Sequence, residues 1–207
     1  MREGAAATKA FLIENAAQAS HLHLSLHGFS DVLDAMRSGV VMADGPMTVA
    51  EIRESAELTA QVVIVSACES GRISISDAPN EFRGLPFGLI GCGAASVVAS
   101  LWPVNDLATA LLMVRLHEVL LDLEDANPVG PDLVAQALRV AQAWLRLATD
   151  DDIQRFMAKH GLFPAPGNGE ARERGLPRFQ AKLKTHDSPK RHLFGAARHW
   201  ASFVAIG

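Results

Sequence analysis

Gln61-Val62-Val63-Ile64-Val65-Ser66 is the stretch on which the fold turns. Four β-branched residues in an unbroken row leave no polar face, so a strand built from them must be covered on both sides. Such a strand belongs in the middle of a parallel sheet flanked by helices. Upstream, His21-Leu22-His23-Leu24-Ser25-Leu26 alternates strictly and reads as a second strand, with His27-Gly28 at its end. Between the two, residues 37–47 predict a hairpin around Asp44-Gly45, and Thr48 with Glu51 forms a capping box that opens a helix. Residues 5–19 predict a helix ahead of the first strand.

Downstream, residues 81–91 predict a helix that ends in glycines, and Ala95-Ser96-Val97-Val98-Ala99-Ser100-Leu101 a third buried strand. Asn105 or Asp106 caps the next helix, which runs to about Asp122. Another helix follows over residues 131–148, and residues 200–206 predict a last strand. The stretch 150–190, rich in Pro, Gly and charge, predicts a helix plus loops inserted at the surface. Strands alternating with helices give an α/β fold: an open, mostly parallel sheet with helices on both faces. Sheets of this kind carry their active sites at the carboxyl ends of the strands. His27 and Cys68 each fall at such an end.

The whole-chain figures are those of a globular domain. The 207 residues are 49% hydrophobic and carry a formal net charge of -4. That suffices for one packed core. No basic stripe dominates, which argues against a nucleic-acid binder, and the basic residues between 178 and 191 read as a solvated face. Two cysteines, Cys68 and Cys92, exclude a disulfide framework and fit a reducing, cytoplasmic setting. The first ten residues contain no apolar signal region, and the apolar run over residues 107–114 is far too short to span a membrane.

A thiol beside an imidazole is a recognisable chemical pair. The imidazole takes the thiol proton to give the nucleophilic thiolate, and later protonates the leaving amine. Gly28 lets a backbone approach a substrate without a Cβ in the way, so its N–H, with that of Cys68, suits an oxyanion hole. Taken singly, a cysteine after an apolar strand is as a rule a small core residue, and a His-Gly is as a rule a turn. Their joint position at strand ends in one sheet is what raises both above that level.

The residues around the pair resemble a known family. His23-Leu24-Ser25-Leu26-His27-Gly28 resembles the histidine motif of CHAT domains, relatives of caspases and separases, and Val63-Ile64-Val65-Ser66-Ala67-Cys68-Glu69-Ser70-Gly71 resembles their cysteine motif. The block from Asn80 to Ser100-Leu101-Trp102, the following Pro103-Val104-Asn105-Asp106, the run Gln136 to Gln142 and the closing His199-Trp200-Ala201-Ser202-Phe203 are similar to the family's later blocks. The likeness covers nearly all of the chain outside residues 150–190.

The resemblance implies a caspase-like fold over residues 1–207, with 150–190 as a surface insert. It implies Cys68 as nucleophile, His27 as general acid–base, Gly28 in the oxyanion hole and Asp106 in S1, where the similar position in separases reads a basic P1 side chain. It implies a cysteine endopeptidase that acts on proteins and needs no cofactor. Family members usually carry two more strands, with helices, before the histidine strand, so an N-terminally incomplete domain is expected. Its missing part would come from an upstream sensor, a repeat domain or a separate chain, and its histidine strand would lie at a sheet edge.

Other readings compete. A catalytically inactive CHAT-fold interaction or regulatory module keeps the fold without the chemistry, and a flavodoxin-like small-molecule binder shares the layout. A metal site is disfavoured, because His21 and His27 on one strand stand ~20 Å apart at about 3.3 Å per residue. Gly91-Cys92-Gly93 imitates a dinucleotide loop in the wrong order, following a helix and preceding a strand. Cys92 within it reads as a buried, inert thiol.

Overall fold

The computed structural model describes residues 3–29, 31, 34–56, 58–66, 74–75, 82–124, 130–162 and 192–207. Its main sheet contains β1 (His21–Leu24), β5 (Val62–Val65), β8 (Val97–Ser100) and β9 (Phe203–Ile206) in that spatial order. The first three are parallel and β9 runs antiparallel to β8. Among the described residues β1 pairs with β5 alone, so it forms a sheet edge as expected.

The apolar run at residues 62–65 behaves as its composition demands. All four residues of β5 are fully buried, with alternate side chains feeding two separate cores. Val62 and Ile64 join a core with α4 (Asp106–Glu124), α5 (Pro131–Leu147) and α6 (Asp150–Lys159). Val63 and Val65 join another with α1 (Lys9–Ala16), α2 (Val49–Ser55) and α3 (Leu85–Gly91). The fold is thus a mostly parallel open sheet covered on both faces, the caspase-like arrangement.

A smaller antiparallel sheet of β2 (His27–Phe29), β3 (Gly39–Met42) and β4 (Gly45–Thr48) packs Val40, Met42 and Met47 into the second core. The hairpin around Asp44-Gly45 joins β3 to β4. Thr48 and Glu51 form the capping box: the Glu51 N–H donates to Thr48 Oγ1 at 3.2 Å, and the Thr48 N–H to Glu51 Oε2 at 2.7 Å. A short pair, β6 (Ser74–Ile75) with β7 (Phe82–Arg83), completes the strands described.

Three sequence expectations need correction. The alternating stretch is not one strand: β1 ends at Leu24, and Ser25-Leu26 carry the chain into a different sheet, so His27 opens β2. The helix expected over residues 81–91 starts only at Leu85, because Phe82–Arg83 pair as β7 and Pro86 fits the first turn of a helix. The last strand starts at Phe203, after a one-turn helix α7 (Ala197–Trp200). Of the two caps open to α4, the structure uses Asn105: its Oδ1 accepts from the Ala108 N–H at 3.0 Å, and Asp106 is the first helical residue.

The glycine turn after α3 is a packing device. Gly93 has φ +110°, and a Cβ there would stand 2.2 Å from the Leu58 carbonyl oxygen. It lets the chain pass close to Leu58 and enter β8. Beside it Cys92 is buried, its thiol 3.8 Å from the Val49 carbonyl oxygen and pushed up in pKa by burial, with the Arg53 charge opposing. That fits an inert thiol. Of residues 150–190, expected as a surface insert, the described part is α6, which packs the fully buried Ile153 and Met157 into the first core; residues 163–191 lie outside the described residues.

Candidate active site

β1 and β5 end together. Leu24 is level with Val65, and the Ser66 N–H donates to the Leu24 carbonyl at 2.9 Å. From that common line the chain leaves on two paths. One runs through Ser25 and Leu26 to His27. The other runs from Ser66 into the segment that carries Cys68, and residues 67–73, Cys68 included, lie outside the described residues.

A cleft of about 630 Å³ opens at this line, with His23, His27, Ser66 and Asp106 among its lining side chains. Val104 and Met113 on the α4 side, and Leu26 and Val41 opposite, make the rest of its walls largely apolar. His27 is exposed and enters from the antiparallel sheet, while Asp106 is exposed and enters from the first turn of α4. Among the described residues none donates a hydrogen bond to the Asp106 carboxylate, which sits at the positive end of a 19-residue helix. Gly28 lies in β2 opposite Val40 of β3. The structure therefore brings His27 and Asp106 to one cavity at the carboxyl ends of the parallel strands.

A second histidine group borders the same cleft. His23 Nε2 lies 2.8 Å from Ser66 Oγ, and its Nδ1 lies 3.1 Å from His117 Nε2 on α4. Next along β1, His21 Nε2 lies 2.5 Å from Glu124 Oε1. Desolvation, then the neighbouring His117, lower the His23 pKa to about 4. His23 is exposed on the cleft while both its ring nitrogens are engaged, by Ser66 and by His117. His117 is lowered too, by desolvation first and then by His21, with the Glu124 carboxylate opposing. Both shifts favour the neutral imidazole. Among the described residues no three His, Cys, Asp or Glu side chains converge to hold a metal ion.

A family model, CHAT domain, matches residues 1–207. The chain belongs to the CHAT domain family. That makes it a member of a caspase-like peptidase family, in keeping with the sheet and the cleft. A search of curated proteins found no match. No helix among the described residues of this CHAT domain is long and apolar enough to cross a membrane.

The motif residues of the CHAT domain were legible one by one, but the His23–His117 and His21–Glu124 contacts were not. A signal for them existed. His21 and His23 alternate on one face of β1, and His117 and Glu124 are spaced by two helical turns on α4, so each pair shares a face. Nothing in the sequence says that those two faces meet.

Proposed function

We propose that this CHAT domain is a cysteine endopeptidase that cleaves proteins after a basic residue, with Cys68 as nucleophile and His27 as general acid–base. The observation that carries the reading is the cleft at the shared end of β1 and β5, lined by His27, Asp106 and Ser66, the last only two residues ahead of Cys68. In this scheme the Cys68 thiol gives its proton to the His27 imidazole, and the thiolate attacks the scissile carbonyl carbon to form a C–S bond. The displaced electron pair moves to the carbonyl oxygen, which accepts from the backbone N–H groups of Gly28 and Cys68. As the oxyanion collapses, the C–N bond breaks and His27 returns its proton to the leaving amine. Water, giving a proton to His27, then attacks the thioester, and the acyl product leaves as Cys68 is reprotonated.

The Asp106 carboxylate pairs with the guanidinium or ammonium group of the P1 side chain. Val104 and Met113 suit the apolar stem of such a side chain. The scheme uses no cofactor. The substrate is a protein in the cytoplasm.

The test is kcat/KM for paired Arg-P1 and Leu-P1 peptides on wild type and three variants. Cys68→Ala abolishes turnover, and His27→Ala lowers it by ~10²–10⁴-fold. Asp106→Asn costs about 2–5 kcal/mol in transition-state terms for the Arg-P1 peptide and leaves the Leu-P1 peptide nearly unaffected. Turnover that survives Cys68→Ala defeats the nucleophile, and a folded wild type inert towards both peptides favours an interaction module. An Arg-to-Leu ratio unchanged by Asp106→Asn defeats the S1 role.

A further inference from the structure

The Ser66 side chain is tied to an imidazole that the dyad does not use. We infer that His23 is a positioning residue: through Ser66 and His117 it clamps the carboxyl end of β5 to α4 and so sets where the Cys68 segment leaves the sheet. The inference deepens the proposed reading and rests on it for the role of Cys68.

The geometry is that of a two-ended bridge. His23 Nε2 reaches Ser66 Oγ at 2.8 Å, and Nδ1 reaches His117 Nε2 at 3.1 Å. A neutral imidazole has one N–H and one bare nitrogen, so it donates at one end and accepts at the other. Ser66 and His117 can each take the complementary role, and the chain Ser66–His23–His117 is satisfied in either direction. Two imidazolium ions at 3.1 Å would face N–H to N–H and repel, so the bridge requires at least one neutral ring. The lowered pKa values of both rings meet that requirement at neutral pH.

Among the described residues the titratable groups around the bridge are few. His21 and Glu124 face each other beside His117 at 2.5 Å, and His27 and Asp106 lie on the cleft that His23 lines. Ser66 is held twice, by its N–H on the Leu24 carbonyl and by its hydroxyl on His23. Both anchors come from β1, the strand that leads to His27. The bridge therefore references the start of the Cys68 segment to the same strand that delivers its partner. Misplacing a reacting group by ~1 Å can cost ~10²-fold in rate.

Two amide substitutions separate the ends of the bridge. Glutamine places its terminal amide near the position of Nε2, so His23→Gln keeps a partner for Ser66 and gives up His117. Asparagine places its amide near Nδ1, so His23→Asn keeps His117 and gives up Ser66. The readout is the second-order rate of Cys68 alkylation by iodoacetamide between pH 5.5 and 9.5, followed by peptide mass spectrometry, with Tm measured alongside. We expect His23→Asn and Ser66→Ala each to slow alkylation at pH 6.5 by ~10-fold or more, to shift its profile toward that of an ordinary thiol near ~8.5, and not to add when combined. His23→Gln restores most of the wild-type rate. Equal losses in His23→Asn and His23→Gln that follow Tm would overturn the positioning role, as would no change in either. His27→Ala in the same series tests the parent reading separately. A wild-type profile in His27→Ala removes the dyad, while the Asn-against-Gln comparison still decides the Ser66 bridge.

Discussion

The two faces of the main sheet differ at its edge. On the face that carries α1, α2 and α3, the core stays apolar from β8 through β5 to the edge strand, with Val97, Val63, Val65 and Leu24 in one cluster. On the face that carries α4, the centre is equally apolar, with Val62, Ile64 and Val98 fully buried against Leu112 and Leu116. At β1 that face changes: His21 and His23 meet Glu124 and His117 of the same helix. Burial drives the centre, where no water competes. The edge is close enough to solvent for imidazoles and a carboxylate to sit at modest cost, provided they pair. The polar seam so formed runs along β1 to the cleft.

The largest expected effect tests the centre of that contrast. Ile64→Ala removes a fully buried side chain from the α4 face and should lower unfolding free energy by ~2–5 kcal/mol, read from urea denaturation at unchanged m value. A loss below ~1 kcal/mol would mean that this face is loosely packed at its centre as well.

The edge should respond differently. Glu124 Oε1 is buried and faces His21 at 2.5 Å. Neither atom makes a hydrogen bond of good geometry, so the contact is a close polar approach; His21→Leu takes away the group that faces that oxygen and should cost ~1–3 kcal/mol. The double variant His21→Leu/Glu124→Leu should recover most of the loss, because apolar replacement of both partners is often neutral. A double variant worse than the single would show that the seam does more than fill space.

At the mouth of the cleft, Asn105→Ala should cost ~1 kcal/mol of stability through the lost cap of α4. Asp106→Asn should move Tm hardly at all, since Asn105 already supplies the cap. If thermal melts rank the two the other way, Asp106 is the structural residue and its place in S1 fails.

The smallest effect is a dependence on acid. His23 binds its proton in the unfolded chain near the ordinary 6.5 and in the folded chain only near about 4. Between those values the unfolded state holds more protons, so stability falls as pH drops from about 6.5 toward about 4 and is unaffected by this group above that window. The exposure of His23 on the cleft lets solvent screen the effect. Melts of wild type and His23→Gln across this range should show a shallower slope in the variant, and parallel slopes would remove His23 from the acid response. Glu118 acts lower. Burial alone would push it up, but hydrogen bonds from Lys159 and Arg115, with the charges of His160 and Lys159, hold it at about 2. Its contribution is lost below the ordinary 4.5, outside most of the His23 window.

Sequence alone determined the layers. An unbroken β-branched row at residues 62–65 can only be covered on both sides, and the Thr48–Glu51 and Asp44-Gly45 signals act within a few residues, so their outcomes are local. The resemblance carried by the two motifs named the family for the same reason: it rests on strings of adjacent residues. The alternation over residues 21–26 misled because polarity has the same period on either side of a strand break, and hydrogen-bond partners, not polarity, end β1 at Leu24. Whether Asn105 or Asp106 caps α4 was open in the sequence, since both side chains can do it, and only backbone direction at the helix start selects Asn105. The meeting of His27 with Asp106 in one cleft, and of His23 with Ser66 and His117, was decided by tertiary structure alone. Those contacts join residues tens of positions apart through the register of β1 on β5 and the seating of α4, and no local pattern encodes either.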